Sequence, residues 1–311
     1  MDRPCGRDVV RRWPDNPLIT IEDLPFRCSD IWNAGVVRFR GEYLLLITIE
    51  HLRGQTDVHL ARGRDGRHFT VEPTPFMTAV LVGPLSRYHD LGVRDPRVTA
   101  LDGTYYITYI ADSNLGMRVG VARTDDFAHV EWVSLAGEPD AKSGALFPEK
   151  INGRYALLER PNPGMSIWIS YSDDLLYWGS SEVVMTPRGG HWDADRIGTA
   201  VPPIRVDAGW LLIYYGEKHT SAGPLMRLGA AILDADNPAR VIARSNIPIL
   251  TPRENYERIG DVPNMVFSCG AILEKDGEMK IYYGGSDSCI CLGTVAISDI
   301  ISICAESARE F

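Results

Sequence analysis

Residues Asn33-Ala-Gly-Val-Val-Arg-Phe-Arg-Gly41-Glu-Tyr-Leu-Leu-Leu46 combine a loop, an extended run, a glycine-centred turn and an apolar strand. The same order recurs four more times, in segments that begin at Asp95, Phe147, Pro202 and Cys269. The turn glycines lie 62, 50, 56 and 68 residues apart, at Gly41, Gly103, Gly153, Gly209 and Gly277. A repeat of this length that is made of strands is typical of a β-propeller, in which each copy forms one blade. The sequence therefore predicts an all-β, five-bladed β-propeller.

Each copy continues with a second extended run, and three of these runs end in an acidic turn, at Arg64-Asp-Gly, Thr124-Asp-Asp and Ser172-Asp-Asp. We expect each copy to form one four-stranded blade, in the order strand, glycine turn, two further strands, acidic turn and outer strand. The repeated glycines are predicted to occupy hairpin turns that need a positive φ. We expect the stretch that begins at Asn16 to supply the outer strand of the last blade.

The bulk composition of the 311 residues narrows the class of protein. Because a single hairpin cannot bury its own apolar face, the repeat predicts one closed domain over residues 1–311. The net charge of −9 argues against a nucleic-acid-binding surface and against an anionic-membrane surface. No apolar run reaches transmembrane length, and residues 1–8 lack the apolar core of a signal peptide. The predicted location is therefore the cytoplasm.

Cysteine and histidine are too scattered to predict a metal centre. The six cysteines form no CxxC motif and are expected to be reduced thiols, at Cys5, Cys28, Cys269, Cys289, Cys291 and Cys304. The seven histidines form no HExxH motif and no cluster with cysteine. The sequence predicts neither a metal nor an organic cofactor.

The loops beside the repeated strands carry the residues that suggest chemistry. In a propeller, equivalent loops converge on one mouth of the central channel. These loops supply an amide, two acids and three cations, which are Asn33, Asp95, Lys142, Arg160, Arg196 and Asp287. Their equivalent positions in successive repeats predict that they meet in one pocket.

This combination of charges suits a sugar beside an anion. Cleavage of a glycosidic bond needs an acid for the leaving oxygen and a nucleophile on the opposite face of the sugar. Lysine and arginine cannot act as general bases at neutral pH, but they bind phosphate, and arginine does so bidentately. Phosphate is itself the nucleophile in a phosphorolysis. Trp192, which lies in a loop, is the candidate for stacking on the sugar.

Several ordered motifs resemble those of glycoside hydrolase family 130, the inverting β-mannoside phosphorylases and mannosidases. The resemblance covers residues 16 to 297. It rests on Gly92-Val-Arg-Asp95-Pro-Arg-Val, Phe147-Pro-Glu-Lys, Glu159-Arg160-Pro, Trp192 before Arg196-Ile-Gly, Pro202-Pro-Ile, Gly209-Trp-Leu-Leu-Ile-Tyr, Arg227-Leu-Gly-Ala-Ala and Tyr282-Tyr-Gly-Gly-Ser-Asp287.

The resemblance implies a reaction and a role for each matched residue. Asp95 is implied to be the general acid, which passes its proton through the 3-hydroxyl of the mannosyl unit to the bridging oxygen. The implied phosphate ligands are Lys142, Arg160 and Arg196, and Asn33 and Asp287 are implied to contact the mannosyl unit. Phosphate then attacks the anomeric carbon, which gives α-mannose 1-phosphate. Inorganic phosphate is thus a co-substrate, and the expected partners are a mannoside oligosaccharide and phosphate.

Four positions depart from the pattern of the family. Tyr215 replaces a histidine, Met226 a tyrosine, Arg94 a glutamate and Thr48 an arginine. Tyr215 can still donate one hydrogen bond to phosphate. Because the family also contains hydrolases that have lost basic ligands, a β-mannosidase remains the alternative, with Glu217 as the candidate base.

Two other classes fit the sequence less well. A protein-binding propeller would not need converging acids and arginines. An arabinanase-like or fructosidase-like glycosidase would need three carboxylates at the mouth, for which the chain offers Asp95, Asp287 and Glu149, and would leave the three cations without a role. The acceptor sugar, the linkage (β-1,4 or β-1,2) and the oligomeric state, including a homo-oligomer, stay open.

Overall fold

The computed structural model describes residues 8–80 and 82–307. Within these ranges the chain is mostly β-sheet, with a short α-helix at Asn255–Arg258 (α1) and a longer one at Ile297–Ser307 (α2). Three 3-10 helices occupy Ile21–Asp23, Ser86–Tyr88 and Pro163–Met165. The predicted all-β class is confirmed.

The strands are β1 (Arg11–Arg12), β2 (Asp30–Phe39), β3 (Glu42–Glu50), β4 (Thr56–Gly63), β5 (Thr70–Met77), β6 (Gly92–Leu101), β7 (Thr104–Asp112), β8 (Arg118–Thr124), β9 (Glu131–Ala136), β10 (Lys142–Leu146), β11 (Tyr155–Arg160), β12 (Ile167–Ser172), β13 (Gly179–Met185), β14 (Arg196–Thr199), β15 (Ile204–Val206), β16 (Gly209–Thr220), β17 (Gly223–Leu233), β18 (Val241–Arg244), β19 (Val266–Leu273), β20 (Glu278–Gly285) and β21 (Cys289–Ala296).

These strands pair into four sheets. One parallel bridge between Thr56 and Gly92 joins the two antiparallel halves of the largest sheet, β2–β5 and β6–β9. The other sheets are β10–β13, β14–β18, and β19–β21 with β1. We call these five antiparallel sets groups one to five, in the order β2–β5, β6–β9, β10–β13, β14–β18, and β19–β21 with β1.

The N-terminal strand pairs with group five, but it lies earlier than the sequence predicts. Arg11 and Arg12 pair with Thr294 and Gly293 of β21, whereas the stretch from Asn16 adds only an isolated bridge between Ile19 and Ile290. The residue after Asn16 is a proline, which has no amide hydrogen with which to continue a strand ladder. Asn16 instead binds the backbone of β21 through its side chain.

The repeated glycines occupy the turns predicted for them. All five have positive φ, between 81° and 132°, at Gly41, Gly103, Gly153, Gly209 and Gly277. In the first three turns the preceding residue also has a positive φ, at Arg40, Asp102 and Asn152. Two successive positive φ values match the twist of a two-residue hairpin.

Apolar clusters join the groups in pairs. Neighbouring residues of one strand face opposite sides, so that Leu44 packs toward group two and Leu45 toward group five. Each of the five clusters joins two groups, in the order one and two, two and three, three and four, four and five, and five and one. In the same order, examples of residues that pack together are Leu44 with Ile107, Ile110 with Leu157, Leu158 with Leu212, Leu211 with Ile281, and Leu45 with Leu292.

Two further sequence expectations concern cysteines and membranes. The five cysteines within residues 8–80 and 82–307 are free thiols, and four of them are buried. Cys5 and the N-terminal segment 1–7 lie outside the described residues. No helix in the described part of the chain is long and apolar enough to cross a membrane.

Candidate active site

Residues from all five groups line a cleft of about 450 Å³, a volume typical of small-molecule sites. The cleft brings together seven of the eight residues that the sequence singled out: Asn33, Asp95, Lys142, Arg160, Arg196, Tyr215 and Asp287. The convergence expected from their positions in the repeat is therefore present in the structure.

A β-bulge turns the same position of groups one, two and three toward the cleft. Two residues oppose one on the partner strand after Trp32 in β2, after Arg94 in β6 and after Lys142 in β10. The first bulged residue has a left-handed backbone each time, with φ of 46° at Asn33, 54° at Asp95 and 59° at Ser143. Such strain costs on the order of 1–3 kcal/mol and concentrates at functional sites.

Asp95 is held from three directions. Its Oδ1 accepts a hydrogen bond from Asn33 Nδ2 at 2.9 Å, and its backbone N–H donates to Thr48 Oγ1 at 3.0 Å. Its carbonyl oxygen accepts from Arg97 Nη1 at 3.0 Å. Thr48, where the family pattern has an arginine, therefore positions the backbone of Asp95.

Arg97 is fully buried, and its hydrogen bonds to the described residues all go to carbonyl oxygens. Besides the Asp95 carbonyl, it donates to Ala200 O at 2.7 Å and to Thr199 O at 3.1 Å. These bonds connect the Asp95 bulge to group four. Sequence analysis did not identify Arg97 as part of the site, although it lies two residues after Asp95 in a quoted motif.

The cationic side of the cleft comes from groups three and four. Lys142 lies opposite Arg160 in the pairing of β10 with β11. Burial and the nearby charge of Arg94 lower the pKa of Lys142 to about 8. Arg160 is 2% exposed, contacts Asn162 Oδ1 and Met165 Sδ, and forms no salt bridge among the described residues. Its buried Nε has no hydrogen-bond partner.

Arg196 extends this side, and Glu217 holds it in place. Arg196 Nη2 lies 2.5 Å from Glu217 Oε2, in an ion pair across β14 and β16. Arg196 Nε is buried and has no hydrogen-bond partner within residues 8–80 and 82–307. The Tyr215 hydroxyl accepts a hydrogen bond from Ser143 at 3.4 Å, and both residues line the cleft. Glu217 is thus bound to a cation rather than placed as a free base.

The acidic side of the cleft comes from groups one and five. Asp287, in the turn between β20 and β21, has a φ of 50° and a buried Oδ1 without a partner. Burial and the charge of Asp95 raise the pKa of Asp287 to about 8. The acidic side also includes Glu50 at the end of β3 and the exposed Asp261.

Arg94 and Met226, two of the positions that depart from the family pattern, also line the cleft. Arg94 Nε donates to Asp112 Oδ2 at 2.8 Å, and its Nη2 contacts Met117 Sδ. Its charge is therefore balanced in part by Asp112, and it also interacts with the charge of Asp95. Met226, at 8% exposure, adds an apolar contact next to Met265.

Trp192 does not line the cleft, so the structure gives no support to its predicted sugar stacking. The indole stacks on Tyr214 with ring centroids 5.5 Å apart and belongs to the cluster between groups three and four. It packs against Gly216 and Gly229, where an added Cβ would come within 2.6 Å and 2.4 Å of the ring. Glu149 is exposed and also lies outside the cleft.

Sequence reasoning also missed Ser143, Thr56 and Asp261, which line the cleft. The repeat could have identified Ser143, because it occupies the position of Asn33 and Asp95 in the next copy.

Residues 8–80 and 82–307 contain no group of three or more His, Cys, Asp or Glu side chains arranged to hold a metal ion.

The sequence matches a known family along nearly its whole length. The family model of glycoside hydrolase family 130, described as beta-1,4-mannooligosaccharide phosphorylase, matches residues 9–306. A beta-1,4-mannooligosaccharide phosphorylase of Ruminococcus albus is 30% identical over 96% of this chain and 92% of that protein. A beta-1,2-mannobiose phosphorylase of Thermoanaerobacter is 38% identical over 77% of each chain.

A solved structure has the same fold. The beta-1,2-mannobiose phosphorylase of Listeria innocua, in complex with beta-1,2-mannobiose, superposes with a TM-score of 0.86 at 29% identity. The match covers 96% of this chain and 99% of that one.

Proposed function

The chain belongs to glycoside hydrolase family 130, and from this premise we propose that it is an inverting phosphorylase of β-mannosides. Inorganic phosphate cleaves the mannoside and gives α-mannose 1-phosphate and a shorter sugar. The observation that carries this proposal is the cationic side of the cleft, where Lys142 is partly buried, Arg160 is buried, and neither forms a salt bridge among the described residues. A bound phosphate would supply the missing negative charge.

The proposed reaction follows from the arrangement of charges. A phosphate oxygen, held by Lys142, Arg160 and Arg196 with Tyr215 as a further donor, attacks the anomeric carbon. The bond to the bridging oxygen breaks on the opposite face, and that oxygen takes the proton that Asp95 releases through the 3-hydroxyl of the mannosyl unit. Attack from the opposite face converts the β-mannoside into the α-phosphate. Asn33 and Asp287 contact the mannosyl unit.

Asp287 and Asp95 share a confined site. Burial and the charge of Asp95 raise the pKa of Asp287 to about 8, so Asp287 retains a proton near neutral pH and adds no second negative charge beside Asp95. Asn33 fixes the Asp95 carboxylate, and Thr48 and Arg97 fix its backbone. This preorganisation is the expected use of the strained bulge.

Hydrolysis is the less supported alternative. A hydrolase would need a base that activates water, and Glu217 was the candidate. The ion pair with Arg196 favours a positioning role for Glu217 instead. The named relatives with the higher identities are phosphorylases, and they include enzymes for both β-1,2 and β-1,4 linkages.

We further propose that groups one to five are the blades of one closed five-bladed propeller spanning residues 1–311. The cyclic order of the five apolar clusters, which includes one between groups five and one, supports this arrangement.

The enzyme would work in the cytoplasm without a metal or organic cofactor and without nucleic-acid or membrane partners. The net charge and the free thiols support this location. Assembly into a homo-oligomer stays open.

The reverse reaction tests the proposal. The purified enzyme is incubated with α-mannose 1-phosphate and a panel of neutral acceptors, including mannose, glucose and N-acetylglucosamine, and released phosphate is measured. We expect phosphate release with at least one acceptor and formation of a β-mannoside. Phosphate release that does not depend on any acceptor, with free mannose as the product, would contradict it.

A further inference from the structure

Carboxyl groups cluster on the acidic side of the cleft, where Glu50, Asp261 and Asp287 belong to the lining and Asp30 lies next to them. Asp30 lies directly opposite Glu50 in the pairing of β2 with β3, a placement that destabilises a sheet. Asp261 and Asp287 face these two from group five, and the charges of Asp261 and Glu50 act on Asp30. Among the described residues, none of these four carboxyl groups forms a salt bridge; the neighbouring Arg94 pairs with Asp112, and its charge also acts on Asp287.

Buried acceptor atoms without partners face the same side. Asn33, at 5% exposure, uses its amide nitrogen for Asp95 and leaves Oδ1 unpaired toward group five, where Gly284 makes room for it. Asp287 Oδ1 is also buried and unpaired. Thr56, opposite Glu50 in the pairing of β3 with β4, has a buried hydroxyl without a partner. A ligand here must bring hydrogen-bond donors.

The proposed reaction assigns this side to the leaving sugar. In an in-line displacement the nucleophile and the leaving group lie on opposite faces of the anomeric carbon. Groups three and four supply the cations for phosphate. Apart from Asn33 and Asp287, which contact the mannosyl unit, groups one and five therefore face the sugar that leaves, which is the acceptor in the reverse reaction.

We propose that the acidic side selects an acceptor sugar that carries a protonated amine, a free hexosamine. This inference rests on the proposed phosphorolysis and specifies its substrate class. An ammonium group brings both the positive charge that Glu50 and Asp261 lack and a donor for the unpaired Thr56 Oγ1 opposite Glu50. A neutral hexose would leave the carboxylates uncompensated. A uronic acid would be repelled by them, and Arg94 is already engaged by Asp112.

Acceptor competition in the reverse reaction tests this inference. The enzyme, with α-mannose 1-phosphate, is given glucosamine and mannosamine, each compared with its N-acetyl form and its parent hexose, and glucuronate as the anionic probe. The pH is kept where the amines are protonated. We expect kcat/KM for at least one free hexosamine to exceed that of its N-acetyl form by about ten- to a hundredfold, as for a charged hydrogen bond. Glucuronate should be the poorest acceptor.

Variants of the acidic side separate charge from shape. Glu50→Gln and Asp261→Asn keep the size of the side chain, and each should reduce the preference for the amine by about tenfold. Asp207→Asn, an exposed acid in the turn before β16, is the matched control and should leave the preference unchanged. If either cleft variant fails to fold, the preference of the wild-type enzyme for the amine is measured at increasing salt concentration instead. Added salt should weaken this preference if it is ionic.

The outcomes distinguish this inference from the proposed function. Phosphate release with neutral hexoses but with no preference for any amine over its N-acetyl form would overturn only the hexosamine inference. An amine preference that Glu50→Gln and Asp261→Asn both leave intact, or one that salt does not weaken, would overturn it as well. Absence of phosphate release with every acceptor would contradict the phosphorylase itself.

Discussion

Two cavities in the described part of the chain differ in how their polar groups are satisfied: in the larger one the charged groups pair with each other, whereas in the smaller one, the cleft, several polar atoms lack partners. The larger cavity, of about 840 Å³, lies between groups one and five near their glycine turns, and its lining includes Arg38, Tyr43, Glu274 and Lys280. Glu274 accepts hydrogen bonds from Arg38 at 2.7 Å, from Lys280 at 2.9 Å and from Tyr43. Although burial opposes it, these bonds lower the pKa of Glu274 to about 2.

The cleft with the candidate active site has the opposite character. Five atoms of its lining residues are buried without hydrogen-bond partners among the described residues: Asn33 Oδ1, Thr56 Oγ1, Arg160 Nε, Arg196 Nε and Asp287 Oδ1. No lining residue of the larger cavity has such an atom within the described ranges. Unsatisfied buried groups are costly and therefore indicate a ligand, whereas size alone does not. The comparison predicts that changes in the cleft alter catalysis and that changes in the larger cavity alter stability.

The largest effect is expected at Asp95. Asp95→Asn keeps the shape and the contact with Asn33 but removes the transferable proton, so kcat should fall by about 10²–10⁴-fold. Steady-state kinetics with a β-mannoside and phosphate measure the change, with Asp207→Asn as the control. A rate close to that of the wild type would reject Asp95 as the acid.

A smaller effect is expected for the buried arginine of the cationic side. Arg160→Met removes a charged contact worth about 1.5–3 kcal/mol, so the KM for phosphate should rise by about ten- to a hundredfold. Arg64→Met, on an arginine whose side chain is 90% exposed, controls for the general loss of positive charge. An unchanged phosphate dependence in Arg160→Met would place phosphate elsewhere.

Lys142 should make phosphate affinity sensitive to pH. Its pKa is lowered to about 8, so its positive charge is present below that pH and is lost as the pH rises through it. The affinity for phosphate should therefore weaken above pH 8, by up to about tenfold per pH unit. Lys142→Arg stays charged and should flatten this dependence. The same slope in both proteins would show that another group titrates.

Substitutions in the larger cavity should change the stability of the protein but not its activity. Glu274→Gln removes a carboxylate that binds two cations, and the free energy of unfolding should fall by about 1–3 kcal/mol while kcat and KM stay unchanged. Because the folded-state pKa of Glu274 is depressed, its contribution is present above the ordinary carboxyl pKa and is lost as the pH falls toward about 2. Denaturant unfolding and steady-state kinetics measure the two effects. A loss of activity without a loss of stability would remove the contrast between the cavities.

The sequence predicted those features that depend on local backbone chemistry. The glycine turns were predictable because two residues with positive φ satisfy the hairpin on their own, as at Asp102 and Gly103. The converging loops were predictable because equivalent positions of a repeat reach equivalent places. The acidic turns follow the same logic: Asp126 and Asp174 each bind two backbone N–H groups that follow them.

Features that depend on two distant segments were not predictable. The bulges at Asn33, Asp95 and Ser143 arise from the register between strands, which no single stretch of sequence specifies. The packing of Trp192 away from the cleft was not predictable, because Gly216 and Gly229, which make room for its ring, lie on strands of group four. The binding of Glu217 to Arg196 likewise depends on the pairing of β14 with β16.

The phosphate requirement of the forward reaction tests the central claim most directly. The wild-type enzyme is given a β-mannobiose in phosphate-free buffer and again with inorganic phosphate, and the sugar products are identified by NMR. The cationic side of the cleft predicts almost no cleavage without phosphate, and with phosphate it predicts α-mannose 1-phosphate in equal amount to the released sugar. Free mannose in phosphate-free buffer, at a rate that phosphate does not change, would contradict the assignment and identify a hydrolase.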